Sequence, residues 1–220
     1  MERSIIVHLH KNHHMSIRVA LFLSFCVVIT SCKWKTTKQA LKHGEELKAS
    51  IESFEKNRIK LSTKLVKSLE EAEESLSQED PDLPEVSKDF EKQWTSIQNR
   101  YKKFQKDFRE VGETSDAYFS ELNSLSSNIS KESLKQEELA KNRALRDKWN
   151  ISYKEAEVSI NKVTQVLESG NDFHMVLVAS SIRQKLEQNV GELKLISAQA
   201  KTLLQDLEAF TQAGRELVEG

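Results

Sequence analysis

Six histidines, two cysteines and several clustered carboxylates are the side chains of this 220-residue chain with the chemistry to bind a metal or attack a substrate. Four of the histidines, His8, His10, His13 and His14, crowd the extreme N-terminus, a composition associated with metal binding. Met15 lies closer to the apolar run that follows and makes a better start than Met1, so this tract is expected to leave with the leader or never to be translated. His43 and His174 remain, and neither has a glutamate three residues before it. The Glu-x-x-His ligand set of di-iron bundles is therefore missing. Glu70, Glu71, Glu73 and Glu74 form an acidic run, but on a helix those spacings splay the carboxylates around a solvated face. No glycine-rich phosphate loop, nucleophile elbow or zinc spacing occurs. The expectation is a protein with no catalytic residues, no metal and no cofactor, hence not an enzyme.

The remaining chemical feature is Cys32. It follows an apolar run from Val19 to Ile29, flanked by Arg18 and about 11 residues long. A membrane-spanning helix needs roughly 20 residues, whereas the apolar region of a secretory signal takes about 7 to 15. The run ends in Ile29-Thr30-Ser31-Cys32, and here the sequence resembles bacterial lipoprotein precursors, whose cleavage box is a branched aliphatic residue, a small or β-branched residue, a small residue and then cysteine. The resemblance implies cleavage between Ser31 and Cys32, diacylglyceryl modification of the Cys32 sulfur, and anchoring to a cell membrane. Each buried CH₂ contributes about 0.8 kcal/mol, and stable anchoring takes more than one chain, which a multiply acylated cysteine satisfies. Lys33 stands where an aspartate would favour inner-membrane retention in enterobacterial lipoproteins, so the resemblance points to the outer membrane, facing the periplasm. The resemblance covers this N-terminal stretch alone.

Composition bounds the body. Removing the three basic and one acidic residues before Cys32 from totals of 33 and 34 leaves 30 against 33, a net charge of about −3 that gives no reason to expect nucleic acid. Cys26 lies inside the leader, so an exported body has no disulfide and must be held by packing. Only two prolines and six glycines occur, 30% of residues are charged with mixed sign, and no alternating β-branched runs appear. This is the composition of long amphipathic helices.

The apolar spacing then divides the chain. Residues 1–31 read as signal peptide, 32–38 as a lipidated tether that is either a basic leader against headgroups or a solvated link, and 39–220 as one helical domain. A first helix is predicted from about Thr36 to Gln78 on the stripe Leu47, Ile51, Phe54, Leu61, Leu65 and Ala72, with Arg58 in one apolar place. Pro81 and Pro84 end it. A second helix starts near Pro84 and buries Phe90, Trp94, Ile97, Tyr101, Phe104, Phe108 and Val111. Arg100, Lys102, Lys103, Lys106 and Arg109 interleave with these aromatics, yet on a helix they point to water, not to a nucleic acid. A serine-rich stretch from Ser124 to Ser133 coincides with a change of stripe phase, so a turn is predicted there. Ser169-Gly170-Asn171-Asp172 reads as a helix stop and cap, followed by a last helix from Phe173 to about Val218. Its seam, running Ala179, Ile182, Leu186, Asn189, Leu193 and onward to Leu217, is the longest and marks it as the central helix.

The expected fold class is all-α, an elongated antiparallel bundle or coiled coil of about four long helices. The short proline turn should make the first two helices antiparallel neighbours, with Leu61 near Tyr101 and Leu69 near Phe90 or Trp94. Two functions fit: a scaffold or adaptor that binds another envelope protein, with homo-oligomers possible, and a carrier for a lipid or other apolar ligand. A carrier would leave small residues facing one another along a seam, whereas these seams are mostly Leu, Ile and aromatic, which favours the interaction module.

Overall fold

A computed structural model describes the backbone of residues 13–183 and 190–219 and the side chains of Lys38, of residues 41–183 and of residues 191–219. It divides into two units, Met1–Lys42 and His43–Gly220. Four helices follow one another: α1 (His13–Leu76), α2 (Leu83–Ser127), α3 (Glu132–Arg183) and α4 (Val190–Glu219). No strand occurs among the described residues. In the first unit the backbone is helical from His13, so residues 32–38 belong to α1 and the helix begins well upstream of the Thr36 start predicted from the stripe.

Within the second unit the helix ends follow local chemistry. α1 stops where the Ser77 amide closes onto the Glu73 and Glu74 carbonyls, a few residues before Pro81. Asp82 then caps α2: its carboxylate accepts from the Glu85 amide at 3.1 Å, Pro84 sits in the first turn where its missing N–H costs nothing, and Glu85 faces the positive helix end. α2 closes at Asn128, whose amide bonds the Leu125 and Ser126 carbonyls, and α3 starts at Glu132. The predicted serine-rich turn is there.

Three hydrogen bonds set the register of α1 on α2: Ser50 with Thr114 at 2.8 Å, Asn57 to Asp107 at 2.5 Å, and Gln93 to Glu71 at 2.9 Å. The partners in each pair are equally far along the chain from Asp82, by 32, 25 and 11 residues respectively. The helices are therefore antiparallel about that turn. This register puts Leu61 within two positions of Tyr101's level and Leu69 beside Trp94's, as the sequence predicts.

α4 runs antiparallel to α1, with Lys48–Glu219 at one end and Glu73–Lys194 at the other. α3 packs antiparallel on α2, where Arg146 meets Asp116 and the Trp94 indole N–H reaches the Leu167 carbonyl. It packs on α4 through Trp149 and Phe210, whose rings are 5.2 Å apart. Each helix thus has two antiparallel neighbours in an up-down-up-down bundle, and no helix is central, contrary to the expectation for the last one.

The core is a line of aromatic layers. Phe54, Phe104, Phe108, Tyr153, Trp149 and Phe210, drawn from all four helices, form one, with Phe54 stacked on Phe104 at 4.7 Å and Phe108 on Tyr153 at 4.4 Å. Phe90, Trp94 and Phe173 form a second.

The predicted stop at 169–172 does not occur: α3 runs through it to Arg183. Gly170 serves packing rather than termination. A β-carbon there would stand 1.8 Å from Cζ2 of Trp94, so only glycine lets the indole approach the α3 backbone and donate to the Leu167 carbonyl at 3.2 Å. α3 ends at Arg183 and α4 begins at Val190, so α4 is shorter than the helix predicted from Phe173. Phe173 and Leu177 are buried on α3, whereas Ile182, placed in the predicted seam, is 78% exposed. Leu186 and Asn189 lie outside the described residues.

Candidate functional site

Arg58 occupies an apolar place in the α1 stripe, and it is buried. Its guanidinium is held on three sides. Nε and Nη2 donate to the two carboxylate oxygens of Glu55, one turn back, at 2.7 and 2.9 Å, and Nη1 donates to the Leu204 carbonyl of α4 at 2.7 Å. Glu208 approaches from one turn further along α4, at 3.7 Å. Thr211 completes the layer by donating to Glu55 at 3.0 Å. The guanidinium bond holds the Glu55 carboxyl below the usual carboxylate range despite the opposing effect of burial, and the same bond raises Arg58 further above its already high value.

On the α2 side of α1, Asp107 is buried and accepts from Asn57, and Ser50 shares a hydrogen with Thr114 while bonding back to the Leu47 carbonyl. Together these groups form polar ties from α1 to both of its neighbours. The guanidinium, the Glu55 and Asp107 carboxylates and the hydroxyls are all bonded within these ties, while Glu208 stands at the rim with its side chain 68% exposed. Such a layer fixes helix register, the best-attested role of buried ionic groups in helical assemblies.

The remaining titratable groups do not gather. His43 bonds Glu46, its neighbour on α1, at 3.0 Å, while His174 lies on α3 over the ring of Phe90. His8 and His10 are outside the described residues, as are the side chains of His13 and His14. In the acidic run, Glu71 accepts from Gln93 and pairs with Lys67, Glu73 pairs with Lys194, and Glu70 and Glu74 face solvent. Among the described residues no cluster of His, Cys, Asp or Glu is arranged to hold a metal, and no helix is long and apolar enough to cross a membrane. Ile29, Thr30, Ser31 and Cys32 lie on the part of α1 that precedes the bundle, and their side chains are outside the described residues.

Hollows lie between several pairs of helices. A cleft of about 370 Å³ between α1 and α2 is lined by Ser68, Glu71, Asp82, Glu85 and Asp89, four of them carboxylates. A groove between α3 and α4 holds about 590 Å³ around Val166, Ser169, Ala198 and Leu203, and a further hollow on the same seam is lined by Ser152, Ala156, Ser159 and Ala209. The cleft and the α3–α4 seam open onto the surface and reach the edge of the aromatic core, at Phe90 and Phe210 respectively, as does a third hollow between α2 and α3 at Trp149 and Tyr153. Sequence reading missed the α3–α4 groove because the seams it followed were the core-facing ones. The signal available was the recurrence of small residues on α3 and α4 next to those seams.

Comparison with protein-family models, with curated proteins and with solved structures finds no match for this chain.

Proposed function

We propose that this protein is an envelope lipoprotein, anchored to a membrane through acylated Cys32, whose helical bundle serves as a scaffold or adaptor for another envelope protein. The observation that carries the choice of interaction over carriage is the filled interior: Phe54, Phe104, Phe119 and Phe173 are each all but inaccessible, and the buried Arg58 and Asp107 are tied to neighbouring helices. An apolar ligand in such a bundle would have to displace packed aromatic rings. The hollows available are surface grooves, the form suited to a docking helix or loop. The lipid anchor rests on Ile29-Thr30-Ser31-Cys32.

The test is metabolic labelling with a fatty acid, followed by capture of the protein from gently solubilised membranes and mass spectrometry of both protein and lipid. Acyl label that disappears in Cys32→Ala, with a protein partner enriched and no free lipid at one per chain, is the expected result. Unlabelled wild-type protein would remove the anchor, and a stoichiometric lipid retained by the bundle would replace the adaptor by the carrier.

A further inference from the structure

Six large apolar side chains stand exposed on α3; Leu134 and Leu145 lie near its start, and the other four share one line. Of these four, Ile151 is 60%, Val158 53%, Met175 64% and Ile182 78% exposed. The buried line of the same helix repeats every seven residues through Trp149, Ala156, Val163, Gly170 and Leu177. Ile151 and Val158 each follow, and Met175 precedes, a member of that line by two residues, about 200° around a helix of 3.6 residues per turn. The stripe therefore faces directly away from the bundle core. Its spacings, seven, seventeen and seven, are those of a and d positions in one heptad frame, with Ile151 and Val158 at a and Met175 and Ile182 at d.

We propose that this face of α3 pairs antiparallel with the same face of a second copy of the chain. The four positions are self-complementary. Residues 151 and 182, and residues 158 and 175, are centred on one point between 166 and 167. A two-fold axis through that point sets Ile151 against Ile182 of the second copy and Val158 against its Met175, each twice, as an isologous contact requires.

Charge decides the direction. In a parallel pair, Lys154, Glu168 and Asp172 would each face their own copy across the seam, three layers of like charge. In the antiparallel pair Lys154 faces Ala179, Gln165 faces Glu168, Asn161 faces Asp172, and Lys162 stands within a turn of both Glu168 and Asp172 of the second copy. No like charges share a layer, and Lys162 stands as close to Glu168 of the second copy as the two Glu168 stand to each other, so the centre carries both signs. The pairing depends neither on the Cys32 anchor nor on an envelope partner, so it stands or falls apart from the function proposed above.

Sedimentation of the full-length protein in detergent, at tens of micromolar, should give two chains per particle. The Val158→Glu, Met175→Glu double variant changes only exposed positions and should give one chain with unchanged circular dichroism. In oxidising conditions the Ile151→Cys, Ile182→Cys variant should form an interchain disulfide several-fold above wild type and above either single variant. These two positions lie too far apart on one rigid helix to join within a chain. A monomeric wild type, or a dimer that survives V158E/M175E, would overturn the interface. Ile151→Cys crosslinking alone as readily as the double variant would overturn the antiparallel direction.

Discussion

Arg58 of α1 donates from Nη1 to the Leu204 carbonyl of α4 at 2.7 Å, a bond between residues 146 positions apart. That carbonyl sits inside a continuous helix, so the guanidinium uses its second lone pair and leaves the helix intact. The bond holds α1 and α4 at one register, because a slip of a residue in either helix carries the carbonyl around its axis and away. Arg58→Ala should lower the stability of the bundle by about 1–3 kcal/mol, since it leaves the half-buried Glu55 carboxylate with Thr211 as its remaining hydrogen-bond donor. Replacing the pair together, as Arg58→Met with Glu55→Gln, should recover most of that loss. Denaturant midpoints at neutral pH check both, and a single Arg58→Ala as stable as wild type would show that the layer is solvated in solution.

The same pair makes stability depend on pH. The Glu55 carboxyl is held below its ordinary value by Arg58, so the folded state binds its proton less readily than the unfolded chain does. Its contribution is complete above the unfolded carboxylate pKa, near 4.5, and is lost as pH falls through the lower folded value. Glu55→Gln should therefore be less stable than wild type at pH 7, and the gap should narrow with acidification below about pH 4.5. Urea melts across that range measure it, and a constant gap would assign the stability to packing alone.

Gly170 and Gly191 are both helical and should respond in opposite directions to alanine. Alanine is the better helix former by about 0.8–1.0 kcal/mol. Gly191 is the second residue of α4 and nothing lies within 4 Å of the added carbon, so Gly191→Ala should stabilise by part of that helix-interior value. At Gly170 the carbon would meet the Trp94 ring at 1.8 Å, and Gly170→Ala should instead destabilise by about 1–3 kcal/mol through forced repacking. Thermal melts of both variants, with Trp94 emission as a second probe for the first, check the contrast.

Helix existence and pairing were legible because they depend on short-range signals that nothing overrides. The stripe from Leu47 to Ala72 and the aromatic line from Phe90 to Val111 have one period each, and Pro81, Asp82 and Pro84 leave the chain no means of continuing α1. Gly170 was misread because the sequence shows a glycine, not the indole 76 residues earlier that needs it. That contact accounts for a glycine inside α3. Arg58 was visible as a gap in a stripe. Its three-sided coordination was not, because Leu204 presents only a backbone oxygen, and a backbone oxygen has no side-chain signature.

Asp107 and Asn57 supply the last test of the α1–α2 register. Asp107 is 5% exposed, and the Asn57 amide is its side-chain donor at 2.5 Å. Asn57→Ala removes the donor and leaves a carboxylate facing α1 with its desolvation uncompensated, which should cost about 1–3 kcal/mol. Asp107→Ala removes a buried charge together with its only tie to Asn57, whose position at the edge lets its amide turn to water, so its cost should be smaller. With both replaced, no unpaired group remains. The double variant should then be more stable than Asn57→Ala alone, with a coupling of about 1 kcal/mol or more between the two sites. Chemical denaturation of the four proteins measures it. Additive losses would mean that the two side chains do not meet in solution, and with them would go the register that places Ser50 at Thr114 and Glu71 at Gln93.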